Sequence, residues 1–141
     1  HLCVSRNLPA MKQFISQFKP LIFANYSEIS ALFANQATDQ SRLIAACENY
    51  LKQENLPILA ITHSEKPALV VSANETIQVP TVKAPIIDAT GAGDAFLAGF
   101  LAAYIKQKNL AEAATNGHFL ARQIIQQMGA RPANLQYAKS A

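Results

Sequence analysis

Pro85-Ile86-Ile87-Asp88-Ala89-Thr90-Gly91-Ala92-Gly93-Asp94-Ala95-Phe96 joins an apolar, strand-like run to a Gly-Ala-Gly turn and then to a helix with an aspartate near its head. Backbone N–H groups at the start of a helix have no intrahelical acceptor and carry partial positive charge, so such a turn can hold an anion without a cationic side chain. Glycines at 91 and 93 let a ligand come close to the main chain. An aspartate beside an anion site repels its ligand, and taking a proton from an incoming hydroxyl is one reason to keep it there. Asp is also a favoured N-cap and glycine is common in strand-to-helix turns, so the turn alone equally admits an ordinary helix start. The chain contains no G-x-x-x-x-G-K-S/T, and Phe96 stands where the dinucleotide fingerprint has its third glycine. The turn is neither a Walker loop nor a Rossmann fingerprint.

The run Asp88-Ala89-Thr90-Gly91-Ala92-Gly93-Asp94, followed by Ala95-Phe96-Leu97-Ala98-Gly99-Phe100, resembles the C-terminal signature of the ribokinase-like (PfkB) family of carbohydrate and nucleoside kinases. That resemblance implies that Asp94 is the catalytic base and that Gly91, Ala92 and Gly93 form the anion hole for the transferred phosphoryl group. Ala89 stands where the family usually has Thr or Ser. Upstream, Leu21-Ile22-Phe23-Ala24-Asn25-Tyr26-Ser27-Glu28 resembles the family's strand followed by Asn-x-x-Glu, which implies that Asn25 and Glu28 help organise the water shell of Mg²⁺ around ATP. The same two residues also read as a helix N-cap with its capping-box partner.

Ile61 to Val71 occupies the place of the family's Thr-x-Gly-x-x-Gly turn, with Ser64 and Pro67 in place of both glycines. The resemblance implies nucleotide contacts from Thr62 and Ser64, while Pro67 fixes its own φ and removes an N–H. Ser64-Glu65-Lys66, Cys3-Val4-Ser5-Arg6 and Ile124 to Pro132 are similar to bacterial adenosine-kinase-like members, so adenosine is the favoured acceptor, with ribose, fructose or another sugar as alternatives. By the same resemblance the last helix lies against the adenine ring, with Asn116, Gly117 and Ala121 beside it. His118 is a further neighbour in that scheme but reads more simply as a partly exposed surface histidine. Asp88 and Thr90, with the Gly129-Ala130 turn, fall where many members hold a monovalent cation such as K⁺.

Composition agrees with an enzyme of this kind without naming it. At 141 residues, half hydrophobic and 15% charged, the chain can bury a sizeable core and is not disordered in character. The net charge of +3 is spread along the chain, with no basic block or basic-aromatic alternation that points to nucleic acid. Cys3 and Cys47 have no metal or redox spacing, and His1, His63 and His118 are scattered. No window approaches the roughly 20 apolar residues of a membrane span and no signal peptide is visible, which makes the cytoplasm the expected compartment.

Alternating helical and strand patterns predict α/β architecture, which the resemblance sharpens to the C-terminal portion of a three-layer α/β/α ribokinase-like fold without its lid, residues 1–141 forming one unit. The expected elements are a helix from Pro9 to near Pro20, a strand at Leu21–Ala24, a helix at Glu28–Ala34, and a helix after Thr38-Asp39. That last helix buries Leu43, Ile44, Cys47 and Leu51 and pairs Glu48 with Lys52 outside. Strands follow at Pro57–Thr62, Ala68–Ser72, Thr76–Val79 and Pro85–Asp88, with one antiparallel connection at Ala73-Asn74-Glu75. A helix burying Phe96, Leu97, Phe100, Leu101 and Tyr104 then precedes one capped by Asn109 and Glu112, whose stripe is Leu110, Ala113, Ala114, Gly117, Ala121, Ile125 and Met128.

Relatives of this kind are about twice as long, and the matches begin midway through their fold. The missing half is expected to supply most sugar contacts. Two functions follow: an ATP-dependent kinase acting on a primary alcohol, or a non-catalytic nucleotide-binding or interaction module that dimerises or waits for a partner half.

Overall fold

The computed structural model describes residues 6–33, 39–107 and 109–130. Two compact units emerge, one from the described residues of His1–Ser64 with Leu69–Gln78, the other from Glu65–Ala68 with the described residues of Val79–Ala141. The elements are α1 (Leu8–Phe18), β1 (Ile22–Asn25), α2 (Tyr26–Leu32), α3 (Gln40–Glu54), β2 (Ile58–His63), β3 (Lys66–Ser72), β4 (Thr76–Val79), α4 (Ala92–Gln107) and α5 (Leu110–Ile125). The sheet order is β1-β2-β3-β4. β1 and β2 run parallel, joined by a crossover through α2 and α3, and their register sets Ile22 against Leu59 and Asn25 against Thr62. The two-residue link Ser64-Glu65 makes β2 and β3 an antiparallel hairpin, and Ala73-Asn74-Glu75 does the same for β3 and β4, so the sheet is mixed.

Local chemistry accounts for the helix ends. Asp39 caps α3 through Arg42 N–H at 2.9 Å, and Asn109 caps α5 through the amides of Ala111 and Glu112. Lys19 and Asn55 close α1 and α3 in the left-handed region. In the first unit Ile15, Ile29, Leu43, Cys47 and Leu51 pack on Leu59, Ile61, Leu69 and Val71 as one core. Ile58, Leu59, Ala60 and Ile61 are all buried, so both faces of β2 are covered. Burial, with Glu48 alongside, pushes the Cys47 thiol up to about 12 and makes it an inert packing group.

Several expectations are corrected. Pro85–Asp88 forms no strand: Ile86 and Ile87 are 53% and 58% exposed, and the amides of Ile87 and Asp88 donate to the Ile125 carbonyl instead of to a ladder. Glu48 does not pair with Lys52 among the described residues; its Oε1 accepts from the Thr76 hydroxyl at 2.7 Å, tying α3 to β4. The buried face of α5 is Leu110, Ala113, Ala114, Gly117, His118, Leu120 and Ile124, so the stripe passes through Leu120 and Ile124 where Ala121 and Ile125 were expected. Met128 lies past the helix end and is exposed. On α1, Phe14 and Phe18 stand largely in solvent and pack on each other at 4.8 Å. Ala34 and Thr38, and the Cys3 to Ser5 and Arg131-Pro132 segments, lie outside the described residues.

Two substitutions test this account. Ser64 sits at φ 47°, a region costly for any residue with a Cβ, so Ser64→Gly should raise unfolding stability by about 0.5–1 kcal/mol in denaturant titration, and a loss of stability would count against the turn geometry. A Cβ on Gly99 would lie 2.6 Å from the Asn116 carbonyl oxygen, so Gly99→Ala should cost about 1–3 kcal/mol by overpacking. A neutral result would show that the helices stand further apart.

Candidate functional site

The second unit is organised by α4 against α5. Their backbones approach closely because position 99 has no side chain where Asn116 and Gly117 pass, and position 117 has none where the Phe96 ring lies. Phe96 and Phe100 are buried beside this crossing. Gly91 precedes α4 at φ +80°, and its carbonyl accepts the first helical bond from Ala95 at 2.9 Å. Asp94 therefore projects from the first turn, exposed, where a carboxylate also favours the helix macrodipole.

Of the three expected anion-hole amides, that of Ala92 donates to the Ala89 carbonyl at 3.2 Å and so closes the turn. Among the described residues the N–H groups of Gly93 and Asp94 have no backbone acceptor, as the first turn of a helix dictates. The Gly91 amide likewise has no backbone acceptor among the described residues, so Gly91, Gly93 and Asp94 present the free donors. A cavity of about 250 Å³ opens beside them, lined by Gly91, Asp94, Ala95 and Ala98 from one side and Leu120, Gln123, Ile124 and Ala130 from the other. Its wall is mostly apolar, with Asp94 and Gln123 as the polar groups.

Asp88 and Thr90 share the turn. Asp88 accepts from Thr90 N–H at 2.9 Å and from Gly129 N–H at 3.0 Å. The Thr90 hydroxyl first, and then these two amides, hold the Asp88 carboxyl below its ordinary range. Gly117, expected beside a flat base, is filled on its open side by Phe96, whereas Asn116 and Ala121 are half-buried and line no part of the cavity.

His118 was expected at the surface and is buried, 8% exposed. Its Nε2 lies 3.1 Å from the Val79 carbonyl, and its ring stands edge-on to Phe96. The sequence signal missed here was its place one residue from Gly117, inside the buried stripe.

In the first unit, the parallel register brings Asn25 beside Thr62 at the C-terminal ends of β1 and β2, the end at which open α/β sheets bind ligands. Asn25 Oδ1 accepts from Glu28 N–H at 2.9 Å and Asn25 N–H donates to Glu28 Oε2 at 2.9 Å, so the reciprocal capping box is formed. Tyr26, the first residue of α2, and His63, the last of β2, stack at 4.2 Å and 7°. Ser64 follows in the left-handed region, a conformation that glycine adopts most readily. Among the described residues no group of three His, Cys, Asp or Glu side chains is placed to enclose a metal, and no helix is long and apolar enough to cross a membrane.

Residues 6–136 match the pfkB family of carbohydrate kinases. The chain belongs to that family. A sugar kinase of Archaeoglobus fulgidus is 31% identical over 111 residues, 79% of this chain and 42% of that protein. The adenosine kinase of Schizophyllum commune is 30% identical over 134 residues, 86% of this chain and 39% of the other. In structure, the adenosine kinase of Sinorhizobium meliloti superposes with a TM-score of 0.82 at 30% identity, covering 94% of this chain and 39% of that one. The fold is thus ribokinase-like α/β, and the chain spans about two fifths of the length of the curated relatives it matches.

Burial lowers the pKa of His118 from its ordinary value near 6.5, against the smaller opposing effect of the Val79 carbonyl. The folded chain holds the ring neutral and unfolding takes up a proton, so stability should fall as pH drops through about 6.5 and level off below the folded pKa. Urea titrations from pH 8 to 5 should show a shallower slope in His118→Gln than in the wild type. Equal slopes would place the titration elsewhere.

Proposed function

We propose that the chain is the nucleotide-binding and proton-abstracting part of an ATP-dependent kinase whose acceptor is a primary alcohol of a nucleoside or sugar, with adenosine favoured. The observation that carries this reading is the head of α4, where Asp94 stands on the same turn as the acceptor-free amides of Gly93 and Asp94, beside a cavity of about 250 Å³. The adenosine preference is supported by the kinases named above and by the Ser64-Glu65-Lys66 and Ile124 to Pro132 segments.

Asp94 takes the hydroxyl proton as the acceptor oxygen attacks the γ-phosphorus of ATP and the bond to the β-γ bridging oxygen breaks, releasing ADP. The turn Gly91 to Gly93, with the Asp94 amide, faces the charge that develops on the transferred group; losing one such donor typically costs about 10² to 10³ in rate. Thr62 and Ser64 contact the nucleotide phosphates, and Asn116 and Ala121 flank the base, with Gly117 acting through helix packing. Asn25 and Glu28 suit a water-mediated Mg²⁺ site, since Mg²⁺ keeps several of its waters and needs only one or two carboxylates nearby. Held there, Mg²⁺ would neutralise phosphate charge. A K⁺ site at Asp88 and Thr90 would stabilise the same turn.

A second reading, a nucleotide-binding module without turnover, is favoured by the loss of both glycines in the 62–67 turn. In that case a second copy or the rest of the fold completes the site. ADP formation from Mg-ATP with adenosine and a panel of ribosides and sugars separates the two. We expect acceptor-dependent turnover, lowered roughly 10² to 10⁴ in kcat by Asp94→Asn. Turnover that survives this substitution unchanged would remove Asp94 from the chemistry, and saturable ATP binding without turnover would favour the module.

A further inference from the structure

The two oxygens of Asp88 are spent on two segments far apart in sequence. Oδ1 accepts the Thr90 amide within the turn, whereas Oδ2 accepts the amide of Gly129, 41 residues on. Beside this pair, the Ile125 carbonyl at the last residue of α5 accepts from Ile87 N–H at 2.7 Å and from Asp88 N–H at 3.2 Å. One step further, Gly91 lies so close under Ala130 that a Cβ on it would fall 2.7 Å from the Ala130 Cβ. The stretch from Ile87 to Gly91, which forms no strand, is therefore held by the end of α5.

We infer that Asp88 is a positioning residue: its carboxylate latches the Gly129-Ala130 turn onto the Thr90-Gly91 turn and thereby sets the direction of the amides at the head of α4. A carboxylate accepting N–H groups makes stronger and shorter bonds than a neutral acceptor, and it spans both segments only if both oxygens accept. Asparagine offers one acceptor and one donor, so it can satisfy one amide and must oppose the other. The latch's effect on nucleotide binding rests on the function proposed above.

The test is amide hydrogen exchange on the 141-residue chain, as wild type, Asp88→Asn and Asp88→Ala, followed by Mg-ATP titration of each. Losing a bond to a charged acceptor should speed exchange at Thr90 and Gly129 about tenfold or more in the alanine variant. Ala92, whose bond to Ala89 defines the turn, should follow, while mid-helix amides of α5 stay protected. Asparagine should restore protection at one of Thr90 and Gly129. Mg-ATP should bind the alanine variant about tenfold more weakly, with asparagine between.

Unchanged exchange at Thr90 and Gly129 would overturn the latch. Unchanged exchange at Ala92, equal loss of protection throughout α4 and α5, or wild-type ATP affinity in the alanine variant would each overturn the positioning role. A wild type that does not bind Mg-ATP would count against the nucleotide site, and exchange at Ala92 would still decide whether Asp88 positions the turn.

Discussion

The second unit depends on how closely α4 and α5 can approach. Gly99 against the Asn116 carbonyl, and Gly117 against the Phe96 ring, bring the two backbones nearer than any residue with a Cβ would allow. Phe96, Phe100, Ala113 and Ala114 fill the remaining space as buried core. That crossing fixes the direction of α4, and hence where the first turn presents Asp94 and its amides. It also leaves the cavity between Ala98 and Ile124 beside that turn. Packing at the middle of the helix pair and hydrogen bonding to Asp88 beside the start of α4 thus both bear on that first turn.

In the first unit the pair proposed to act on Mg²⁺ through water also has a structural role. Asn25 and Glu28 form a complete capping box, and each still lies at the ligand end of a parallel strand pair. The capping box orients Glu28, which a carboxylate acting through water on a metal also requires. Ser64 adopts a positive φ without being glycine, so the turn between β2 and β3 is held at some cost in backbone strain. Local interactions of this kind are set within a few residues of the chain.

For that reason the caps, the 73–75 hairpin and the turn at 91–93 could be read directly from the sequence. Asp39, Asn109, and Asn25 with Glu28 are local signals, and local structure follows them. What could not be read depends on neighbours distant in sequence. Pro85 to Asp88 has the composition of a strand, but its amides go to Ile125. His118 has the composition of a surface residue, but Val79 supplies a buried acceptor. Glu48 has a lysine four residues on, yet it takes a hydroxyl from Thr76. The stripe of α5 was misplaced in its last two turns because a 3.6-residue period admits either 121 and 125 or 120 and 124 until the crossing with α4 selects one. At the site, Asp94 was legible from the motif, whereas the engagement of the Ala92 amide required coordinates.

The most direct measurement is titration of the isotope-labelled chain with Mg-ATP, following backbone amide resonances. Saturable shifts should be largest at Gly91, Gly93 and Asp94, whose amides have no backbone acceptor among the described residues, and smaller at Ala92, whose amide is held by the Ala89 carbonyl. Saturable shifts confined to other segments, or none at these four residues, would contradict a phosphate site at the head of α4.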